Sequence, residues 1–114
     1  LLGQKLTAAQ VDEACEFVMR TPLDQRECDY YEFYCISLML MQFQNQAWEK
    51  WNVALRDRLL ALQHREGAGA GSWDMDRKWS ERGGRVYSTA LATLTLQVYY
   101  RYLPMYARAA RPER

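Results

Sequence analysis

The segment most informative about the fold is Arg82-Gly-Gly-Arg-Val-Tyr-Ser-Thr-Ala-Leu-Ala-Thr-Leu-Thr-Leu-Gln-Val-Tyr-Tyr-Arg-Tyr102. Its apolar residues continue over several turns after the Gly-Gly pair, so it predicts a helix from about Arg85 to Tyr102 that Pro104 ends. Residues 64–84 hold five of the six glycines and predict a connection of about twenty residues. Such long loops are usually functional or disordered. Trp73 and Trp79 favour an ordered loop, because large rings gain stability when they are buried.

Three further helices are predicted before this loop. Thr7 and Gln10 have the spacing of a capping box, which predicts the start of a first helix that Pro22 ends. Asp29 can cap a second helix, which is apolar on nearly every side from residue 33 to 43 and must therefore be covered all round. A third, amphipathic helix follows, with apolar residues every three or four positions: Trp48, Trp51, Leu55, Leu59 and Leu62.

The predicted fold class is therefore all-α, with four main helices in two helical hairpins. The first hairpin covers about residues 7–44 and the second about residues 46–104, with the long Gly/Trp loop between the third and fourth helices. A chain of 114 residues is long enough for one domain, residues 1–114, with a single core.

Composition excludes several classes of protein. A net charge of +1 gives no electrostatic reason to expect nucleic-acid binding. The longest uncharged run, residues 33–48, is too short for a transmembrane helix. Cys15, Cys28 and Cys35 have neither CxxC nor metal-like spacing, so we expect buried packing thiols and a reducing compartment such as the cytoplasm, although the sequence leaves the location unknown.

Gln63 followed by Gly71-Ser-Trp73 resembles the glutamine–tryptophan motif of squalene and oxidosqualene cyclases. In that family the motif is a structural staple, so the resemblance implies that the Gln63 amide and the Trp73 ring tie one hairpin to the next. Further stretches are similar to bacterial proteins with prenyltransferase and squalene-oxidase repeats: Asp29-Tyr-Tyr-Glu-Phe-Tyr34, Trp48-Glu-Lys-Trp-Asn52 and Gly83-Gly-Arg-Val-Tyr-Ser-Thr-Ala-Leu91. The sequence departs from these relatives at Glu32 and Cys35, where Trp and Gly are expected.

This resemblance implies two hairpins of the α/α-toroid type, the C-terminal repeats of a larger toroid. Two hairpins cannot close such a ring, and stacked repeats bury their apolar faces on neighbours. We therefore expect the chain to be part of a larger protein or to associate with itself.

Two sets of residues are similar to catalytic sites of these families. Asp74-Met-Asp76 is similar to the aspartate-rich acid of the cyclases, but Arg77 stands where the cyclase motif has another Asp. The residue types of a prenyltransferase zinc site are present as Asp29, Cys28, Cys35 and His64, yet Ser88 occupies the place of the family's His ligand. We assign no catalytic residue, metal or cofactor, and expect His64 to be exposed and unliganded.

Two sets of residues are candidates for binding. Arg82 and Arg85 flank a glycine pair at a helix start and could hold an anion, but pairing with Asp74, Asp76 or Glu81 is the preferred interpretation. Six tyrosines are candidates for lining a cavity, where ring faces could stabilise a carbocation: Tyr30, Tyr31, Tyr34, Tyr87, Tyr99 and Tyr100.

The leading functional hypothesis is a non-catalytic helical-repeat module that packs on the rest of its chain or on a partner subunit. One alternative is a segment of a terpene-cyclase-like or prenyltransferase-like enzyme that binds an isoprenoid in an aromatic-lined cavity. A weaker one is an apolar-ligand carrier formed by homo-oligomerisation. The sequence leaves enzymatic activity open and favours its absence from this chain alone.

Overall fold

A computed structural model describes residues 5–76 and 80–109, and for residues 80 and 102–109 it describes the backbone alone. Four α-helices follow in chain order: α1 Ala8–Met19, α2 Tyr30–Phe43, α3 Gln46–Leu62 and α4 Ser80–Ala109. A short 3₁₀ helix, Leu23–Gln25, lies between α1 and α2, and the described residues contain no strand. The predicted all-α class is confirmed. None of the helices in the described parts is both long and apolar enough to span a bilayer.

Two helix starts follow the predicted capping residues, and a third is capped by Asn45, which was not predicted. Thr7 accepts a hydrogen bond from the Gln10 backbone N–H while the Gln10 side chain accepts from the Thr7 N–H, which completes the capping box. Asp29 caps α2 by accepting from the Glu32 N–H at 3.0 Å. Asn45 caps α3 through the Trp48 N–H, after Gln44 has ended α2 in the left-handed conformation. Sequence-local chemistry therefore sets three of the four starts.

Helix α4 differs from its predicted bounds at both ends. Its backbone is helical from Ser80, so the connection after α3 is shorter than predicted, but Gly84 (φ 64°, ψ −161°) interrupts the helix before it resumes at Arg85. At the other end, helical backbone continues through Pro104 to Ala109, so the expected stop at Pro104 is wrong. Proline disfavours a helical residue before it but does not forbid one, and kinked helices do continue past proline.

Helix α2 lies at the centre of the molecule and packs most extensively on α4, then on α3, and less on α1. Phe33, Leu40 and Met41 of α2 are almost completely buried, with the Phe33 ring edge-on to Trp51 of α3. Tyr31 and Cys35 on the same helix remain exposed, so α2 is not covered all round as predicted. The prediction that α3 is amphipathic is confirmed, because four of its five periodic apolar residues are buried: Trp48, Trp51, Leu55 and Leu59. The fifth, Leu62, is exposed.

Two arginines hold the connection between α1 and α2. The Arg58 guanidinium donates to the Leu23 and Arg26 carbonyls and lies 5.2 Å from the Phe33 ring centroid. Arg26 donates to Glu32 and to the Val18 carbonyl and approaches the Trp51 ring at 5.8 Å. Buried carbonyls at a helix end need such donors. Nothing in the spacing of these arginines predicted the arrangement, because it depends on how α3 packs against the connection and most of the acceptors are backbone carbonyls.

The cysteines differ from the prediction at one position. Cys15 is buried and Cys28 half-buried, but Cys35 is exposed, so it is not a core packing residue. All three thiols are free.

Candidate functional site

The glycine-rich loop after α3 is closed by its own hydrogen bonds. The His64 N–H donates to the Ser72 carbonyl at 2.9 Å, and the Gly71 N–H donates to the His64 carbonyl at 2.7 Å. The Gln63 side-chain amide donates to the Gly71 carbonyl at 3.0 Å. Gly71 has φ +85°, a conformation that glycine adopts without strain. These bonds give the loop a defined shape, in agreement with the prediction that it is ordered.

Trp73 attaches this loop to two helices at once. Its side chain is 3% exposed, and its indole Nε1–H donates to the Leu59 carbonyl in the last turn of α3 at 2.7 Å. Its backbone N–H donates to the Thr89 hydroxyl of α4 at 3.2 Å. Trp73 therefore connects the end of α3 to the start of α4. Trp79, the other loop tryptophan in the prediction, lies outside the described residues.

Gln63 and Trp73 act through separate partners. The Gln63 amide bonds to a loop carbonyl two residues before Trp73, whereas the indole bonds to the helix end. Both residues bind the same loop region, and the side chain of each donates to a backbone carbonyl rather than to the other side chain.

An ion-pair network covers the outside of the loop. Arg85 places Nη2 2.6 Å from Asp74 Oδ1 and donates through Nη1 to the Ser72 hydroxyl, while His64 Nε2 lies 2.8 Å from Asp74 Oδ2. The hydrogen bonds from His64 and then Arg85 lower the pKa of the Asp74 carboxyl. Arg85 is thus paired within the chain, the preferred interpretation over an anion site, and Arg82 is exposed. His64 is half-exposed, but it has a carboxylate partner that the sequence did not indicate.

The two aspartates of Asp74-Met-Asp76 have different environments. Asp74 is exposed in the network described above, whereas Asp76 is 6% exposed and accepts a hydrogen bond from the Tyr30 N–H at the start of α2. Carboxylates at a helix N-terminus are stabilised by its free N–H groups. Asp76 thereby ties the end of the loop to the central helix, a role that sequence spacing could not reveal across 46 positions.

Cys28 and Tyr30 lie beside this carboxylate. Burial raises the pKa of the Cys28 thiol and also, with Cys28 as neighbour, that of the Tyr30 phenol. Both groups therefore stay neutral near pH 7, and a neutral, half-buried thiol is a poor nucleophile.

The six candidate cavity tyrosines occupy different surroundings. Tyr30 is buried in the core, Tyr34 and Tyr87 are half-buried, and Tyr31 is exposed on α2. Tyr99 and Tyr100 stack edge-to-face on each other with centroids 5.3 Å apart. They line a groove of about 290 Å³ whose other walls include polar groups of three helices: Ser37, Asn52, Arg56 and Thr95. Two of the six candidate tyrosines therefore line a common groove.

Gly83 and Gly84, at the interruption of α4, are required for different reasons. Gly84 adopts φ 64° with ψ −161°, a region that is essentially restricted to glycine. A Cβ on Gly83 would lie 2.4 Å from Cβ of Tyr87, so the helix surface has no room for one. The Gly-Gly pair is thus a structural feature of the turn into α4.

The outward face of α4 carries no charged residue between Arg85 and Arg101. Its exposed positions recur every three or four residues, and we call them the α4 stripe: Val86, Ala90, Thr93, Gln97 and Tyr100. Val86 is 81% and Tyr100 74% exposed. A shallow groove of about 690 Å³ runs along the first half of the stripe. Solvent-facing helix surfaces are normally charged or polar, so this face is suited to packing against another protein surface.

The described residues contain no group of three His, Cys, Asp or Glu side chains arranged to hold a metal ion. Comparison with known protein families, with curated proteins and with solved structures finds no match for this chain. What the structure itself defines is an all-α protein with a tryptophan-anchored loop and an uncharged outer helix face.

Proposed function

We propose that this chain is a non-catalytic helical-repeat module that packs, through the α4 stripe, on the rest of a longer chain or on a partner subunit. The observation that carries the proposal is the stripe itself, which exposes Val86 and Tyr100 on a face without charge. In a stacked helical protein each layer buries such a face on the next layer. The α/α-toroid resemblance of the sequence motifs supports the same arrangement.

The loop network supports a structural rather than a chemical role for the polar residues. Asp74 is paired with Arg85 and His64, and Asp76 binds the start of α2. Trp73 joins α3 to α4. The Arg85 and Trp73 contacts hold the start of α4 against the loop, and a fixed helix presents the stripe as a rigid surface, which lowers the entropy cost of packing.

Photo-crosslinking from inside the stripe tests this proposal. A photoreactive amino acid is placed at Val86 and, as a matched control, at Val53, an exposed valine on the charged face of α3. The chain is expressed in its native host, irradiated, and the products are identified by mass spectrometry. We expect Val86 to give one recurrent cross-linked surface and Val53 to give little product. Equal, scattered cross-linking from the two positions would contradict the proposal.

A further inference from the structure

The two parts of the chain carry opposite net charges. Residues 1–76 contain seven basic and twelve acidic side chains, whereas residues 77–114 contain eight basic and two acidic ones. The same contrast holds for single helices. α1 carries three acids and no base, and α4 carries four arginines and one acid, Glu81. Opposite charges on separate surfaces of one chain favour contact between copies of it.

The acidic helix borders a second apolar surface. α1 and α2 form a groove of about 540 Å³, which we call the α1–α2 groove, with Phe17, Ile36 and Met39 among its walls and Glu13 on its rim. Phe17 is 70% exposed, an unusual position for a large aromatic ring. This groove shares no residue with the α4 stripe.

We infer that a second copy of this chain docks its α4 stripe into the α1–α2 groove of the first, in a head-to-tail contact. The inference rests on the proposed function, since it names the surface that the stripe packs against. The uncharged stripe meets the apolar walls of the groove, and the exposed Arg82 at the start of α4 meets the acids of α1. Two unlike surfaces form this contact, so it does not close at two copies but continues into a ring or an open chain.

The charges also set the direction of the contact. With Arg82 near Glu13, the two helices run in the same sense from that end. Arg20 lies at the other end of the groove, about 10 Å further along α1 at 1.5 Å per residue. Arg101 lies about 24 Å beyond Arg85 on α4. Arg20 therefore faces the uncharged middle of the stripe, and the arrangement brings no two arginines together.

Two exposed-site variants test the inference. Ala90→Glu places a carboxylate in the stripe, and Phe17→Glu places one in the groove. Both positions are solvent-exposed, so neither change should disturb the fold. Circular dichroism verifies this, and Val53→Glu on α3 serves as the control variant. Sedimentation velocity follows association up to a protein concentration of about 1 mM, because a contact of this size is weak.

We expect the wild type and Val53→Glu to grow in mass with concentration, and each stripe or groove variant alone to lose at least about tenfold in association. The decisive sample is an equimolar mixture of the two variants. One still has an intact groove and the other an intact stripe, so the mixture should form a dimer and nothing larger. Raising the salt from about 0.05 M to about 0.5 M should weaken wild-type association, because it screens the charge contact.

Any one of three results would overturn the inference: a wild type that stays monomeric at every concentration, a Phe17→Glu variant that associates as well as the wild type, or a mixture of the two variants that yields no dimer. The second result would indicate a symmetric contact between two α4 helices. The Val86 cross-link separates this inference from the proposed function. A recurrent product with a different protein refutes the second copy and retains the packing module, whereas scattered products equal to those from Val53 refute both.

Discussion

Replacing Trp73 by Phe should separate the loop from α3 while leaving the helices formed. The indole N–H bond to the Leu59 carbonyl is lost, which costs about 1 kcal/mol for a buried neutral pair. The smaller ring also gives up about 40 Å² of buried apolar surface, or about 1 kcal/mol. The Leu59 carbonyl still accepts from the Gln63 N–H, so no orphaned acceptor adds to the cost. We expect the free energy of unfolding to fall by about 2 kcal/mol.

The assay combines urea unfolding with native-state amide exchange. The His64 and Gly71 N–H groups, which close the loop, should lose protection by more than the global change in stability. Trp51→Phe is the matched control, because it also removes an indole bond, to the Ser37 hydroxyl, from a residue that is 3% exposed. It should lower stability similarly without selective exchange in the loop. A Trp73→Phe protein within about 0.5 kcal/mol of wild type, with both loop amides as protected as in the wild type, would refute the role of Trp73 in attaching the loop to α3.

Three further predictions concern the contacts around this loop and the first connection. Asp74→Asn removes a carboxyl whose pKa in the folded protein lies below its ordinary value of 3.8. The wild type should therefore have a higher Tm than the variant. This difference should be fully present above pH 3.8 and should vanish as the pH falls through the lower pKa of the folded state. Gly84→Ala should lower the free energy of unfolding in urea by about 2–3 kcal/mol, because alanine is strained in the backbone conformation of Gly84. Gly69 has an ordinary φ, so Gly69→Ala should change stability by no more than about 1 kcal/mol. Equal effects of the two substitutions would contradict the conclusion that Gly84 is required for its backbone conformation. Arg58→Met should lower the free energy of unfolding by about 2 kcal/mol, because the Leu23 and Arg26 carbonyls lose this donor. Arg56 forms only an exposed ion pair with Asp57, so Arg56→Met should change stability by no more than about 0.5 kcal/mol. A larger effect of Arg56→Met than of Arg58→Met would exclude the role of Arg58 in holding the connection between α1 and α2.

The helix starts could be predicted from sequence because their causes are local. A capping side chain and the N–H group it satisfies lie within three residues, so Thr7 and Asp29 were identifiable. The same applies to the apolar period of α3. The end of α4 was mispredicted at Pro104, because proline restricts the backbone without deciding whether a helix continues through a kink.

The contacts that complete the candidate site join residues far apart in sequence. Asp76 binds the start of α2, and Arg58 binds two carbonyls more than thirty residues before it. No sequence spacing predicts these contacts, because they depend on how the helices pack. The loop motif indicated Gln63 and Trp73 as structural residues, and the structure supplies the backbone partners that a motif does not specify.

Solvent accessibility of two valines provides the most direct test of the central claim that the α4 stripe is a packing surface. In the chain by itself Val86 is 81% and Val53 49% exposed. Hydroxyl-radical footprinting of the native assembly, read by mass spectrometry, compares two identical side chains and uses the denatured protein to normalise their reactivity. We expect Val86 to be oxidised more slowly than Val53, because the stripe is covered in the assembly. Faster oxidation of Val86, in the order of the two exposures, would contradict it.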